Sequence, residues 1–494
     1  SRSKMSPWIL LRLLALFLSL SSSFCLPLHE YGTGLPISRR NVADRGGGRG
    51  GLKLKGEVEL GLEGLRGGFW KGGQAKAEPI QGKAGGKSIV WPVCTCVLYF
   101  ISTTITSPAL PSMANRIANP DGSVKVSPAG VELFGTLSSI DLAFTMLFTK
   151  LWGSLSDRYG RVPFMLLSSA GVSLGWLTVV QAAATHNMAL LYGGRILDGV
   201  TSCMQPLCQS AVKDLSSPEM LDTNFGILQG AAWGGSFIIG GIPGGVLTNT
   251  KGPEFVMKIA AAVAAINVVI TGLFAEETLP AEKRAAQVNW SEANPLGALT
   301  VLIRDRVTCI AAICLLLVWA ALNGLQTNFF SYIEHQYGWG RVQSSILLCV
   351  VGIVISASQG LGPKLLSHRL GTAGTIKLGA TLVGAGAAGM ALAPNAPLFS
   401  LACLLLASGT LCIPLLTSVV ASRAKSQESG AVLSALETAA MLEKVVACKG
   451  MAALLAIGMR HDAPSAFLWV SAGCCLVAVL LWKTIEVEAF AALT

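Results

Sequence analysis

The sequence predicts an all-α membrane protein of twelve transmembrane helices in two pseudo-symmetric six-helix bundles. Hydrophobic residues make up 52% of the 494-residue chain and charged residues only 13%, and the mean hydropathy is +0.58. Soluble globular proteins carry about 25% charged residues, so this composition places most of the chain in lipid. A charged segment at 276–305, which contains two prolines, divides the apolar stretches six and six.

Each apolar stretch reaches the roughly 20 residues that cross a hydrocarbon core of about 30 Å. The loops on the side of Asp157 carry roughly 13 lysines and arginines and the opposite loops roughly 6, which fits an internal Asp157 loop under the positive-inside rule. One missed or added helix would reverse the assigned side of every later loop and remove this bias. The stretches lie at 88–110, 131–152, 163–184, 188–212, 223–248, 255–275, 306–330, 342–362, 373–393, 396–420, 428–457 and 463–485.

Composition also sets the boundaries of the chain's units. The first 87 residues combine a short apolar run with a Gly-rich basic segment that has no periodicity, so we expect a signal-like or transit-like leader followed by disorder. The other expected units are an N-terminal bundle at 88–275, a central cytosolic-side loop at 276–305, a C-terminal bundle at 306–485 and a tail at 486–494.

The leader bears on which membrane holds the protein. A cleaved secretory signal would place the Asp157 loop on the far side of the membrane, against the charge bias. A bipartite leader for a plastid envelope resolves the conflict, although Glu57, Glu59 and Glu63 are unusual in a transit peptide. An uncleaved apolar segment and a mispredicted start are the alternatives. We expect a multi-pass protein of the plasma or vacuolar membrane, or of a plastid envelope if the leader is bipartite.

The most specific motif is GSLSDRYGR at 153–161, between the second and third apolar stretches. Its glycines permit a tight turn, and its charged residues hold the loop at the membrane surface. The key positions are Gly153, Asp157, Arg158, Gly160 and Arg161.

This motif resembles the loop between helices 2 and 3 of major facilitator superfamily transporters, although Val162 stands where a second basic residue is common. The resemblance implies the twelve-helix fold of that family. It also implies that Asp157 takes part in a contact that latches the two halves in one access state. A purely turn-forming role for Asp157 and Gly160 is the alternative.

A second, degenerate copy of the motif lies at 362–371, between the eighth and ninth stretches. Arg369 and Gly371 stand where the first copy has an arginine and a glycine, and His368 replaces the aspartate. Two related six-helix halves imply a cavity between them, with a solute site near the membrane midplane.

Arg195 lies inside the fourth stretch, where an unpaired charge is costly. Asp198 is three residues away on the same helical face, so the two can pair. The spacing from Arg195 to Gly199 resembles the family's R-x-x-x-G motif, which implies a role in proton coupling or solute contact. A permanently satisfied structural pair is the alternative.

The fifth stretch is rich in glycine, which lets helix backbones approach closely, and its proline favours a kink. The pattern resembles the fifth-helix signature of drug:proton antiporters. With R-x-x-x-G it indicates the tetracycline-exporter and folate-transporter side of the superfamily, although close packing alone would also favour glycine. The positions are Gly230, Gly234, Gly241, Pro243 and Gly245.

Other polar side chains fall inside apolar stretches. Asp141 and Glu437 are expected near mid-depth and are the candidates for binding and releasing a proton. Lys444 shares a helix face with Glu437. The amides expected to line the cavity are Gln205, Gln209, Gln229, Asn323 and Gln326, with inter-helix hydrogen bonding as their alternative role.

Together these features predict a secondary transporter, not an enzyme, that moves a small organic solute by alternating access. Proton-coupled antiport, as in efflux, is the leading mechanism. A proton-coupled symporter or facilitator of a folate-like or sugar-like metabolite, and a transport-inactive receptor or scaffold, are the alternatives. The sequence has no Walker loop and no zinc-type motif, so we expect no cofactor and no metal. The expected partners are the solute, protons and the bilayer, without nucleic acid, for a monomer.

Overall fold

The computed structural model describes residues 88–491, apart from 120, 218–219, 285–298, 300–301, 304 and 424–428. Every regular element within these residues is a helix, which confirms the predicted all-α fold. The expected leader at 1–87 and most of the segment between the two halves lie outside the described residues.

The first half contains six helical segments in chain order. A short turn interrupts α1 after Thr104, and α4 is interrupted at Ser202 and Cys203. The segments are α1 (Val90–Ala118), α2 (Pro128–Tyr159), α3 (Val162–Thr185), α4 (188–215), α5 (221–251) and α6 (Pro253–Phe274).

The second half contains six more. Helices α8 and α9 form one continuous run that the non-helical backbone of Gly371 divides. The segments are α7 (Arg306–Tyr337), α8 (341–370), α9 (372–392), α10 (Ala396–Ser422), α11 (Ser429–Arg460) and α12 (Ala466–Ala491).

Within the described residues, nine helical runs are long and apolar enough to cross a membrane. One of them is the run that Gly371 divides into α8 and α9. Two segments fall outside the nine: α4 is interrupted midway, and α11 carries several charged residues in its central turns. With these, the described helices account for all twelve predicted spans.

Side-chain caps explain where several helices begin. The hydroxyl of Ser127 accepts a hydrogen bond from the backbone N–H of Gly130 ahead of α2, and Pro128 fits the first turn. Asp305 caps α7 through the N–H and hydroxyl of Thr308. Partial burial acts to raise the pKa of Asp305, but these hydrogen bonds outweigh it and lower the pKa below its ordinary value.

Two helices extend beyond the apolar stretches that predicted them. Helix α2 continues to Tyr159, so Gly153 is helical and does not form the turn that was expected of it. Helix α12 continues to Ala491, where a tail was expected from 486. In both cases the apolar pattern ends at the hydrocarbon boundary, whereas backbone hydrogen bonding continues into the polar region.

The two halves repeat an unusual backbone conformation at the same place. Gly160, between α2 and α3, has φ 99° and ψ 161°, and Gly371, between α8 and α9, has φ 70° and ψ 164°. This region of backbone space is essentially restricted to glycine. The two copies of the loop motif therefore share geometry as well as residues.

Each half has its own hydrophobic core among the described residues. One core joins buried side chains from Cys96 in α1 to Ala264 in α6, and the other joins side chains from Leu302 to Ile485 in α12. Val131, near the start of α2, packs into the second core.

Helices α2 and α11 form the main contact between the halves. The Ser139 hydroxyl donates a hydrogen bond to the Val445 carbonyl at 2.8 Å. A Cβ atom on Gly135 would lie 2.3 Å from the Cβ of Ala452, so this crossing needs glycine. Both contacts lie toward the end of α2 that is remote from Asp157.

Candidate functional site

A buried charge network lies at the centre of the first half. The two terminal nitrogens of Arg195 reach Asp141 Oδ2 at 2.6 Å and Asp198 Oδ2 at 2.7 Å. The Arg195 and Asp198 side chains are 6% and 8% exposed, whereas the Asp141 side chain is 22% exposed. The predicted pairing of Arg195 with Asp198 is present, and the structure adds Asp141 from α2 as a second partner.

Close helix packing fixes this network. A Cβ atom on Gly199 of α4 would lie 2.4 Å from the carbonyl oxygen of Asp141, and one on Gly194 would lie 3.0 Å from the carbonyl oxygen of Gly175 in α3. The Arg195 guanidinium also lies 5.1 Å from the ring centroid of Trp176, within cation–π range. The glycine of the R-x-x-x-G motif is therefore needed to bring α4 against α2.

The network is held tightly but carries unbalanced charge. Arg195 is paired twice, which offsets much of the cost of burying a guanidinium in the membrane. Two carboxylates and one guanidinium have a formal net charge of −1. Asp141 is the most exposed member of the network.

Helix α11 of the second half brings two charged residues to the same depth. Lys444 is half-buried near the middle of α11, and Asp141 attracts it electrostatically across the two halves. Its neighbour Glu443 accepts a hydrogen bond from Asn323 of α7 at 2.8 Å. The sequence reasoning did not select Glu443; its adjacency to Lys444 and its spacing along α11 were the available signals.

Glu437 does not lie where the sequence placed it. It is about 11 Å from the middle of α11 at 1.5 Å per residue, toward the Asp157 end, and its side chain is exposed. Its electrostatic partner is Lys150 of α2, whose ammonium donates to the Thr438 hydroxyl at 2.8 Å. The apolar stretch showed that the residue was intramembrane but did not fix the helix centre.

The predicted cavity amides divide into separate groups. Gln205 of α4 donates to the side-chain carbonyl of Gln229 in α5 at 3.3 Å, and Gln209 is half-buried one turn further along α4. Asn323 belongs with Glu443, and Gln326 is exposed. The inter-helix hydrogen-bonding role is therefore seen for three of the five.

Helix α5 is not a regular α-helix. Residues Gly230–Gly235 and Phe237–Gly241 are π-helical, and Pro243 lies in the first turn of the α-helix that follows. The Thr104 hydroxyl of α1 donates to the Ser236 carbonyl at 2.8 Å. The kink expected at Pro243 thus takes the form of π-helical turns just before it.

The glycines of α5 differ in their surroundings. A Cβ atom on Gly244 would lie 2.2 Å from the Ile105 carbonyl oxygen of α1, and one on Gly245 would lie 2.8 Å from the Arg341 carbonyl oxygen of α8. Gly241 faces open space. Gly230 and Gly234 lie within the first π-helical stretch. Packing against both halves accounts for part of the pattern.

The loop motif forms a second charge network at the membrane surface. Arg161 Nε donates to Asp214 at the end of α4 at 2.8 Å, and its Nη1 donates to Asp157 at 3.0 Å. The backbone N–H groups of Arg161 and Val162 donate to Glu277, which follows α6, at 3.0 and 3.3 Å. These contacts join the α2–α3 turn to the end of α4 and to the segment that follows α6.

Arg158 and Asp157 are more loosely held than Arg161. Arg158 packs over the ring of Tyr159 at 5.3 Å, and the Asp157 side chain is 54% exposed. Arg161 is 7% exposed and organises the network. The sequence reasoning missed Asp214 and Glu277, which no local motif marked. The latching of the two halves by Asp157 stays a prediction.

Replacing Gly160 is expected to destabilise the protein. Gly160→Val forces a side chain into a glycine-only conformation, and its Cβ would lie 2.4 Å from the Glu277 carboxylate. We expect a loss of about 1–3 kcal/mol and a lower thermal unfolding midpoint in detergent. Gly153→Ala is the matched control, because Gly153 is helical with open space around it. Equal midpoints for the two variants would contradict the structural role of Gly160.

Within the described residues, no group of three or more His, Cys, Asp or Glu side chains is arranged to hold a metal ion. The contacts described above consist of ion pairs, amide hydrogen bonds and close helix packing.

Comparison with known proteins adds a family and a fold. A family model described as the Major Facilitator Superfamily matches residues 93–443. The tetracycline resistance protein, class E, of Escherichia coli is 24% identical over 344 residues, which cover 69% of this chain and 81% of that protein. The class H protein of Pasteurella multocida is 26% identical over 294 residues, which cover 59% and 70%.

Solved structures show the same fold at low sequence identity. The human organic anion transporter MFSD10 (TETRAN) aligns with a TM-score of 0.53 and 20% identity, over 80% of this chain and 98% of that one. A D-xylose-proton symporter aligns with a TM-score of 0.61 and 13% identity, over 80% and 96%.

Proposed function

The chain belongs to the major facilitator superfamily and is a multi-pass membrane transporter of small solutes, not an enzyme, and we propose that it exchanges an organic solute for protons by alternating access. The observation that carries the proposal is the buried network of Asp141, Arg195 and Asp198. A structural ion pair needs one carboxylate for one guanidinium, whereas this network holds a second carboxylate that is partly exposed.

Asp141 is proposed as the group that carries the proton. It lies near the middle of α2 and is the most exposed member of the network. Protonation would neutralise the net charge of −1 and weaken the attraction between Asp141 and Lys444. Because these two residues belong to different halves, their attraction favours the arrangement in which the halves meet at mid-depth.

Arg195 and Asp198 are proposed to hold Asp141 in place rather than to exchange protons themselves. Both are almost fully buried, and Arg195 binds both carboxylates. Glu437 is proposed as a secondary titrating group, since it lies nearer the Asp157 end, beside Lys150. The similarity to tetracycline resistance proteins supports the export direction.

The proposal is tested by flux in proteoliposomes under an imposed pH gradient. We expect solute to move against its own gradient and in the direction opposite to proton flow, because a single carboxylate serves both. Collapse of the pH gradient with a protonophore is the control and should abolish the accumulation. Solute movement in the same direction as protons would identify a symporter instead, and no gradient-dependent flux of any solute in a broad screen would contradict transport activity.

We propose that the protein resides in the plasma or vacuolar membrane, or in a plastid envelope reached through a bipartite leader. We also propose that it functions as a monomer. A fluorescent fusion at the C-terminus would report the compartment. Size-exclusion chromatography with light scattering would report the oligomeric state in detergent.

A further inference from the structure

Polar side chains join α7 to α11 within the second half. Two of the contacts use groups that are neutral at ordinary pH, and one uses a carboxyl group. The pairs are Asn323 with Glu443 at 2.8 Å, Thr327 with the Cys448 thiol at 3.2 Å, and Asn328 with the Met451 carbonyl at 2.8 Å. A contact that only holds two helices together does not require an acid, so Glu443 needs a separate explanation.

Glu443 lies at the depth where an ionised side chain is most costly. It is close to the middle of the 32-residue α11, and Asn323 is close to the middle of the 32-residue α7. The middle of a membrane-spanning helix lies near the centre of the hydrocarbon core. A carboxylate at that depth is stable only with a cation, water or several hydrogen-bond donors beside it.

The surroundings of Glu443 do not meet that need. Its Oε2 accepts one hydrogen bond, from the neutral amide of Asn323, and its Oε1 is buried without a hydrogen-bond partner in the described part of the chain. Nor does Glu443 form an ion pair with any of the described residues. Asp198, by comparison, has the Arg195 guanidinium at 2.7 Å.

A protonated carboxyl group fits this environment better. Its carbonyl oxygen needs one donor, which Asn323 supplies, and an uncharged O–H without an acceptor costs much less than an unpaired charge. Three other titratable groups act electrostatically on or from Glu443: Lys444 and Cys448 on α11, and Cys474 on α12. Of these three, Lys444 is the cation that would favour the ionised form once water reaches Oε1.

From this geometry we infer that Glu443 is a second proton-binding group, held protonated in this conformation and ionised when helix movement admits water to Oε1. The step is the binding or release of one proton at the carboxyl group. The inference rests on the proposed function, because a second proton site serves transport only if protons drive it. Each half of the transporter then has one proton site, Asp141 in α2 and Glu443 in α11.

Infrared spectroscopy tests the inference without any solute. The C=O stretching band of a protonated carboxyl group is recorded for the purified full-length protein in lipid, while the pH is raised step by step. We expect a band at neutral pH that disappears reversibly at higher pH, and we expect Glu443→Gln to lack it. The glutamine keeps the shape of the side chain and can still accept the hydrogen bond from Asn323, so the variant should fold.

Three further variants assign the band. Glu132→Gln is the matched control, because Glu132 is partly exposed and paired with Arg460 at 3.0 Å, and it should leave the band unchanged. Asp141→Asn identifies any separate contribution from Asp141. Asn323→Leu should keep the Glu443 band but move it to higher frequency, because the carbonyl loses its donor. This shift assigns the band even if Glu443→Gln does not fold.

Two results would overturn the inference. A spectrum that neither Glu443→Gln nor Asn323→Leu alters would mean that Glu443 is ionised throughout. A Glu443 band that persists up to the pH of unfolding would identify a permanently protonated structural group. Flux under a pH gradient is a separate measurement: its absence in the wild-type protein would reject the exchange function, whereas flux without a titrating Glu443 band would reject only the second proton site.

Discussion

Asp141→Asn is expected to reduce pH-driven solute flux to the level of protein-free liposomes while leaving the protein folded. The amide has the same shape as the carboxyl group and can still accept a hydrogen bond from Arg195, but it cannot exchange a proton. Arg195 keeps Asp198 as a direct ionic partner at 2.7 Å, so the buried guanidinium stays paired. Flux in proteoliposomes and the thermal midpoint in detergent are the two measurements.

Asp121→Asn provides the matched control for this substitution. Asp121 lies in the exposed connection between α1 and α2, where its carboxylate accepts a hydrogen bond from the Ser123 N–H, which lowers its pKa. The Asp121→Asn variant should retain wild-type flux. Glu437→Gln should reduce flux less than Asp141→Asn does, because Glu437 is exposed and lies away from the helix centre. If the Asp141→Asn variant showed gradient-driven flux at the wild-type rate, Asp141 would not be the group that carries the proton.

Arg195→Met is expected to prevent accumulation of folded protein. It removes the shared partner of two buried carboxylates and leaves Asp141 and Asp198 to repel each other. Breaking a buried pair in this way costs about 3–5 kcal/mol, a large part of the stability of a typical domain. Fluorescence-detected size-exclusion chromatography of membrane extracts measures the folded fraction.

A second substitution distinguishes electrostatics from packing. Arg195→Met combined with Asp198→Asn restores the wild-type net charge of the site, so part of the folded fraction should return. If packing of Arg195 over Trp176 is the main contribution, the double variant will be no better than the single one. A single variant as abundant and as stable as wild type would show that the network does not support the fold.

Most of the fold could be predicted because a membrane-spanning helix must be apolar over a fixed length, and this requirement is visible directly in the sequence. Apolar length and charge bias located the twelve spans, and the GSLSDRYGR motif located the turn between α2 and α3. Helix ends were less accurate, as at Gly153, because hydrogen bonding continues where hydrophobicity stops. The π-helical form of α5 could not be predicted, because it depends on partners such as Thr104 in another helix.

The candidate site was predictable only in part, for a related reason. Arg195 and Asp198 are close in sequence, so their pairing followed from helical spacing. The addition of Asp141, 54 residues earlier in the chain, required the packing of α4 on α2. The network of Arg161 with Asp214 and Glu277 likewise joins three distant segments. Long-range pairings of this kind leave no local pattern in a single sequence.

The π-helical turns of α5 also set the rotational phase of the rest of that helix. Each wide turn takes in one more residue than an α-helical turn, and one residue corresponds to a rotation of about 100°. Deleting a single residue between Gly230 and Gly241 would therefore swing Gly244 and Gly245 away from Ile105 and Arg341 and bring bulkier neighbours into those narrow gaps. We therefore expect the chain to tolerate length changes in this segment far less than its glycine content suggests.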